Sequence, residues 1–424
     1  MARLWFPGGG GSAATRFNPN TIVALGDSRV AQIHADSIFY NKNAQNHFTV
    51  GNALAGNRAI LVANFGKSGD RTDQVLARLA AALATGAKFL YIHAGCNDIG
   101  QLYPTATTSG STAWANIKTM IDAAVAIGMQ VIYVLDPGAT NFNTSMMVQL
   151  LTLNESAREY AERCPGLHLL DLPAALYDPA NASTTTVPLI TSLDGTHENL
   201  ASSYLGGKLW ASLLTSIMPP RPHGFHASFE TPGLSTMNLL ANPMFATTTG
   251  GTVGTGMSGT VAGSWTVSHG GSAVVNASVG TASDGSGLKE QVMATTFSAA
   301  LDEGRLQQDV VLTNWSPGDK IQGSAEIVVD AGSTNLAGVC LYVQANGVLN
   351  GTQTAVTTMD NYCMTAGWGA MTSEGYKMLL QTEVMTIPAY QTKSWVTAHI
   401  KVVGAGAGSA TARVRRFGLR KRLS

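Results

Sequence analysis

Five short apolar runs, at 22–25, 60–63, 89–93, 131–135 and 167–171, alternate with four segments of helical periodicity at 73–84, 113–127, 144–162 and 199–217. This alternation constrains the fold more than any other feature of the chain. Parallel strands need a crossover of a dozen or more residues, usually a helix, and a sheet built that way is covered on both faces. The stretch 18–220 is therefore expected to be an α/β domain. Open sheets of this kind bind ligands at the carboxyl ends of their strands, so the polar residues that follow the runs matter most.

The first run ends in Gly26-Asp27-Ser28. A serine hydroxyl needs a base to become a nucleophile; in the plainer reading, Ser28 at a strand-to-helix turn only caps the helix. Far downstream stands Asp194-Gly-Thr-His197. A carboxylate three residues before a histidine reaches the imidazole if the segment turns once. Asp194 then fixes the tautomer, His197 is the base, and Ser28 is the nucleophile it activates. Asp194 can equally form an Asx-turn over Gly195, and both arrangements can hold together. Asp171 and Asp178 are weaker substitutes for Asp194. Of nine histidines, only His197 has an aspartate at this offset; His93 reads as a hydrogen-bonded core residue, and His34, His47 and His168 have no motif context. No Gly-x-Ser-x-Gly surrounds Ser28, which argues against the nucleophile elbow of other α/β-hydrolases. Between the two motifs lie Asn64-Phe-Gly-Lys-Ser-Gly69 and Gly95-Cys-Asn97-Asp98, each following an apolar run.

These four segments, in this order and strand context, resemble the blocks of the SGNH (GDSL-type) hydrolase family over roughly 18–220. The resemblance implies a flavodoxin-like three-layer α/β/α sandwich with a parallel sheet. It implies a catalytic set of Ser28, His197 and Asp194, and an oxyanion hole made by the N–H groups of Ser28 and Gly69 and the side-chain amide of Asn97. Preorganised neutral donors of this kind stabilise charge that appears only in the transition state. Asp27, Asn64 and Asp98 are expected to brace the site's loops. Arg29 departs from the small or hydroxyl residue expected after the nucleophile, and is read as shaping the pocket mouth or touching substrate.

Past Pro219-Pro220 the pattern breaks into a linker, 221–237, and then into short alternating runs with Gly, Ser and Thr turns. Strands are expected at 264–267, 273–279, 306–312, 320–329, 337–345, 394–403 and 410–419, which together describe an all-β sandwich. Asn238-Leu-Leu-Ala-Asn242-Pro-Met-Phe245, with Trp265 beyond it, resembles the start of jelly-roll carbohydrate-binding modules. The expected organisation is an arm at 1–17, the hydrolase-like domain at 18–220, the linker, and a jelly-roll-like sandwich at 238–424. Trp265, Trp315, Trp368 and Trp395 either stack on sugars or fill the core.

Charged residues make up 12% of the chain, about half the usual share of ~25%, and the net charge is zero. That excludes the broad basic footprint of a nucleic-acid binder. No run approaches the ~20 apolar residues of a membrane helix, and Met1 to Pro7 lacks the apolar core of a signal peptide. An extracellular or virion-associated setting is the expectation, with a homo-oligomer compatible with it. Cys96, Cys164, Cys340 and Cys363 contain no Cys-x-x-Cys pair, so neither a metal nor a cofactor is expected. Cys340 and Cys363 are read either as a disulfide or as two buried thiols. Arg413 to Arg422 is read as a charged edge or final strand, with an anionic polysaccharide as a weaker alternative.

The expected function is ester hydrolysis through an acyl-enzyme, on O-acetyl groups of a polysaccharide. The alternatives are a lipolytic or thioester hydrolase on longer acyl chains, and a non-catalytic glycan-binding or phage-tail structural protein. Removal of 238–424 is expected to cost activity on polymer more than on a small ester.

Overall fold

The computed structural model describes residues 18–35, 41–102, 108–177, 194–221 and 238–422. The arm at 1–17, Asp178 and nearly all of the linker lie outside these. In chain order the first domain contains β1 (Thr21–Gly26), α1 (Ser28–Ala31), β2 (Asn41–Asn43), α2 (His47–Leu54), β3 (Ile60–Gly66), α3 (Thr72–Leu76), α4 (Leu79–Leu83), β4 (Phe89–His93), α5 (Cys96–Leu102), α6 (Ser109–Ala126), β5 (Gln130–Leu135), α7 (Thr144–Ala161), β6 (Leu167–Asp171), α8 (Leu172–Leu176) and α9 (Leu200–Ile217).

Strands β3-β1-β4-β5-β6 form an all-parallel sheet in that order. Side chains alternate between its faces, and the sequence supplies an apolar residue for each. Val23, Leu25, Leu90, Ile92, Val131 and Tyr133 pack with α3 to α7. Ile22, Ala24, Phe89, Tyr91, Ile132 and Val134 pack with α1, α2, α8 and α9, around Phe48, Trp210 and Leu214. The result is the three-layer α/β/α sandwich expected from the alternation. The helix expected at 73–84 is two short helices, interrupted at Ala77-Arg78. Arg78 turns back there toward the carbonyls of Phe65, at 3.2 Å, and Gly26, at 3.0 Å, and toward Asp70.

The rest of the described chain is all-β: β7 (Thr252–Val253), β8 (Ser258–Gly259), β9 (Thr266–Gly270), β10 (Val274–Thr281), β11 (Lys289–Phe297), β12 (Glu303–Asp309), β13 (Lys320–Val329), β14 (Thr334–Leu349), β15 (Thr352–Tyr362), β16 (Tyr376–Gln381), β17 (Met385–Thr386) and β18 (Thr392–Lys421). The two strands expected at 394–403 and 410–419 are one continuous strand, β18. Its first half pairs with β12 and β14, its second half with β11 and β13. It therefore belongs to both leaves of a mixed β-sandwich. The core between the leaves holds Trp265, stacked on Phe417, and the buried Trp315. Trp368 and Trp395 are only half-buried.

Two open alternatives are resolved. Cys340 and Cys363 are free, buried thiols. The basic run lies in the final strand, β18, which is paired on both sides by β11 and β13; Arg413 meets Asp330 and Glu290, and Arg415 meets Glu290 and Asp284, at 2.6–2.9 Å. Arg416 and Lys421 pair likewise with Glu326 and Asp319, so much of the charge of the run is matched within the sandwich.

The two parts share structure. Strand β2 pairs with β15, the Ala44 N–H donates to the Tyr362 carbonyl at 2.9 Å, and the Leu200 N–H donates to the Trp368 carbonyl at 3.2 Å. Ala44, Val50, Ala53, Leu200 and Tyr204 belong to the apolar core of the β-region. No helix among the described residues is long and apolar enough to cross a membrane.

Candidate active site

Ser28 opens α1 directly beyond β1, an inner strand of the sheet, and Asp27 caps that helix by accepting the Arg29 N–H at 3.0 Å. Asp27, not Ser28, is thus the helix cap, and the serine hydroxyl is left for other work. It lies 2.8 Å from His197 Nε2, across 169 residues of chain. His197 Nδ1 is 2.6 Å from Asp194 Oδ2. The other oxygen of Asp194 accepts the N–H groups of Thr196 and His197 at 2.9 and 2.8 Å. The Asx-turn and the imidazole contact hold together, one on each carboxylate oxygen. Burial raises the Asp194 carboxyl, but the hydrogen bonds from the His197 N–H and imidazole and the Thr196 N–H hold it well below the usual carboxylate range.

The turn that allows this needs Gly195. Its φ is +77°, and a Cβ there would stand 2.1 Å from Thr140 Oγ1; side chains are excluded on both counts. The Gly195 carbonyl accepts the Thr140 N–H at 2.8 Å, tying the histidine loop to the segment after β5.

The expected oxyanion donors sit on the loop after β3 and on α5. Gly69 has φ +81°, and its carbonyl accepts the Gln101 side chain at 2.7 Å. Asn97 Nδ2 donates to the Asp70 carbonyl at 2.9 Å, which uses one of its two amide hydrogens. Among the described residues the N–H groups of Ser28 and Gly69 have no protein acceptor. Asp98 is buried and accepts the Thr72 N–H at 2.9 Å and its hydroxyl at 2.6 Å, so it binds the loop to α5. Asn64 sits at the end of β3, where it accepts the Gly66 N–H at 2.8 Å and donates to the Val30 carbonyl at 2.9 Å. It braces α1 rather than meeting substrate. Asp171 caps α8 and pairs with Arg158 at 3.0 Å, away from the histidine.

Arg29 does not reach a pocket mouth. It is buried, its Nη1 meets Asp136 Oδ1 at 2.7 Å, and its Nη2 reaches the carbonyls of Gly138 and Thr196 at 2.5 and 3.0 Å. Asp136 is itself held by the N–H groups of Cys96 and Gly138, at 3.0 and 2.7 Å. An arginine can make so many directed bonds because its guanidinium is a rigid five-donor fork. Burial pushes the Asp27 carboxyl up to about 7, against the opposing pull of Arg29.

His47 and Glu198 form a second buried cluster. His47 Nδ1 and Glu198 Oε1 are 2.5 Å apart, the His47 N–H donates to Glu198 at 2.7 Å, and His47 Nε2 meets the Tyr91 hydroxyl at 2.8 Å. Glu198 thus anchors the residue after His197 to α2. No spacing in the sequence marks this pair, or the pair of Arg29 and Asp136; only the position of Glu198 beside His197 hinted at it. His93 is buried as expected, but both its ring nitrogens lack a partner among the described residues.

An α/β/α sandwich carrying a serine, a histidine and a carboxylate in hydrogen-bonded sequence at the ends of its strands defines the class of serine hydrolases. Residues 24–201 match the model of the GDSL-like lipase/acylhydrolase family. The chain is similar in structure to a lipase/acylhydrolase from Enterococcus faecalis, at 22% identity and TM-score 0.38, covering 48% of this chain and 100% of that one. It is similar to an acetyl xylan esterase from Geobacillus stearothermophilus, at 16% identity and TM-score 0.36, covering 48% and 97%. A GDSL-like lipase from Bacteroides thetaiotaomicron gives 16% identity and TM-score 0.34, covering 47% and 87%. Comparison with curated protein sequences finds no match.

Proposed function

We propose that the protein is a serine esterase that removes O-acetyl groups from a polysaccharide through an acyl-enzyme. The observation that carries the catalytic part is the unbroken chain from Ser28 Oγ to His197 Nε2 and from Nδ1 to Asp194. His197 takes the serine proton as Oγ adds to the ester carbonyl. The tetrahedral oxyanion is met by the N–H groups of Ser28 and Gly69 and the free amide hydrogen of Asn97. As the intermediate collapses, the sugar oxygen leaves with the proton from Nε2 and the acetyl group stays on Oγ. Water then gives its proton to Nε2 and attacks the acyl carbon, and acetate departs as Oγ recovers the proton. Asp194 remains ionised throughout and stabilises the imidazolium.

The polymeric substrate is supported by the β-sandwich that shares its core with the hydrolase domain. Initial rates on p-nitrophenyl acetate, butyrate and octanoate test the acyl preference. Acetate is expected to be turned over fastest; faster turnover of octanoate would replace this reading with a lipolytic one.

A further inference from the structure

The outer face of the first leaf of the sandwich carries an open groove of about 410 Å³. Strand β18 is flanked there by β12 on one side and β14 on the other, both antiparallel. Leu306, Val396, Ala398, Ile400, Leu341 and Val343 enter the core, so their neighbours in sequence share the opposite face. The register sets Gln307, His399 and Tyr342 in one row and Asp309, Thr397 and Gln344 in the next. Arg305 faces Lys401 at one end, and Trp395 stands opposite Asn346 at the other.

The chemistry of these rows fits sugar rings. Trp395 is half-buried on this face, and beside it the Tyr342 ring is capped by Lys401 Nζ, 4.4 Å from its centroid, and flanked by His399; an aromatic body with polar neighbours suits a ligand that is apolar on one side and wet on the other. The Gln307 and Gln344 amides are each anchored at one atom, by Ser268 at 3.0 Å and on Thr357 at 3.0 Å. Each keeps donor or acceptor capacity for hydroxyls. His399 Nε2 is 2.8 Å from the Thr397 hydroxyl, while its buried Nδ1 lacks a partner among the described residues. The cations are already balanced: Arg305 Nε and Lys401 Nζ lie 2.6 and 3.4 Å from Glu303, and Asp309 adds a second negative charge. The ligand this surface fits is polyhydroxylated and uncharged.

We infer that this groove holds an uncharged stretch of the polysaccharide, with Trp395 against a sugar face and Gln307, Gln344 and Asp309 on its hydroxyls. The inference rests on the polysaccharide reading of the substrate. Its link to the catalytic site is a short one. Lys401 Nζ lies 3.6 Å from Met364 Sδ, and the Trp368 carbonyl accepts the Leu200 N–H three residues beyond His197. Four residues of chain from Met364 to Trp368 span at most ~14 Å.

The test uses the full chain with Ser28→Ala, which separates binding from turnover. Retention is measured on immobilised dextran, mannan, galactan and β-glucan, and on alginate, polygalacturonate and hyaluronate, at low and high salt. The expected result is salt-independent binding to at least one uncharged polysaccharide. Trp395→Ala should weaken it by about tenfold or more, and Trp395→Phe should restore most of it. The thermal midpoint checks the fold of each variant; if the aromatic variants unfold, Gln307→Ala with Gln344→Ala on the same face takes their place. Binding to no uncharged polysaccharide, salt-sensitive binding to acidic polymers alone, or binding untouched by these substitutions would overturn the inference. None of these results bears on ester hydrolysis, whereas failure of the wild type to turn over p-nitrophenyl acetate would sink the esterase reading and leave the groove standing.

Discussion

Arg29, the residue after Ser28, donates to the carbonyl of Thr196, the residue before His197, from Nε at 3.2 Å and Nη2 at 3.0 Å. One guanidinium therefore holds the nucleophile's turn and the base's loop at a fixed separation, and Asp136 holds the guanidinium. Arg29→Met leaves the buried Asp136 carboxylate without its cation, a loss of about 3–5 kcal/mol. The variant should show a lower thermal midpoint together with a lower kcat. Arg29→Lys keeps the charge but not the fork, and should fall between it and the wild type. An Arg29→Met protein with wild-type kcat would show that the clamp does not position the site.

Asp194→Asn keeps the shape of the turn but removes the acceptor that fixes the imidazole tautomer. The expected loss in kcat is on the order of 10³–10⁴, with little change in melting behaviour. A loss of less than tenfold would assign the orienting role elsewhere.

Asn97→Ala removes one donor from the developing oxyanion. Steady-state kinetics on p-nitrophenyl acetate should show kcat reduced by roughly 10²–10³ and KM little changed, since the bond is made chiefly in the transition state. An increase in KM alone would make Asn97 a ground-state contact.

Much of the site is legible in the sequence because it lies where strand periodicity ends. The apolar runs fix the strands, and Ser28 and Asn97 follow β1 and β4 within a few residues. His197 is found through the offset to Asp194. What is not legible depends on contacts between distant segments. Arg29 reads as an anomaly until Asp136 is seen 107 residues away, and His47 has no meaning without Glu198, 151 residues on. The same limit applies to the β-region. Alternation gives β9, β10, β12, β13, β14 and the two halves of β18, but it misses β11, β15 and β16 and the continuity of β18, and it cannot say that Trp265 and Trp315 are core while Trp395 faces a groove.

Four histidines couple stability to pH, among them His168, whose pKa burial lowers. Burial, with Lys42 nearby, pushes His34 down to about 4; burial, with Lys401 and Arg305, pushes His399 down to about 3; burial, then Arg29 and His47, holds His93 well below its ordinary value. Each binds its proton more readily in the unfolded chain, so each contributes stability above pH ~6.5 that is lost as the pH falls toward the folded values. The raised carboxyl of Asp27 acts oppositely over about pH 4–7. The net expectation is a thermal midpoint that declines from pH 6.5 to pH 4, less steeply in His399→Asn. A midpoint that rises over this range would contradict it.

Deletion of 238–424 should not leave an intact hydrolase domain. It strips the cover from Val50, Leu200 and Tyr204 and removes the Asp360 partner of Lys42, at 3.5 Å. The fragment is expected to aggregate or to lose cooperative unfolding, so the role of the β-region on polymer is better read from point substitutions in its groove. A soluble fragment with the midpoint of the full chain would show that the shared core is dispensable.

The central claim is that Ser28 carries the acyl group, and intact-mass spectrometry of protein quenched during turnover of p-nitrophenyl acetate tests it most directly. One acetyl adduct, mapped by peptide sequencing to Ser28, is expected, and it is absent, together with turnover, in Ser28→Ala. Turnover that persists in Ser28→Ala, or an adduct on another residue, would contradict it.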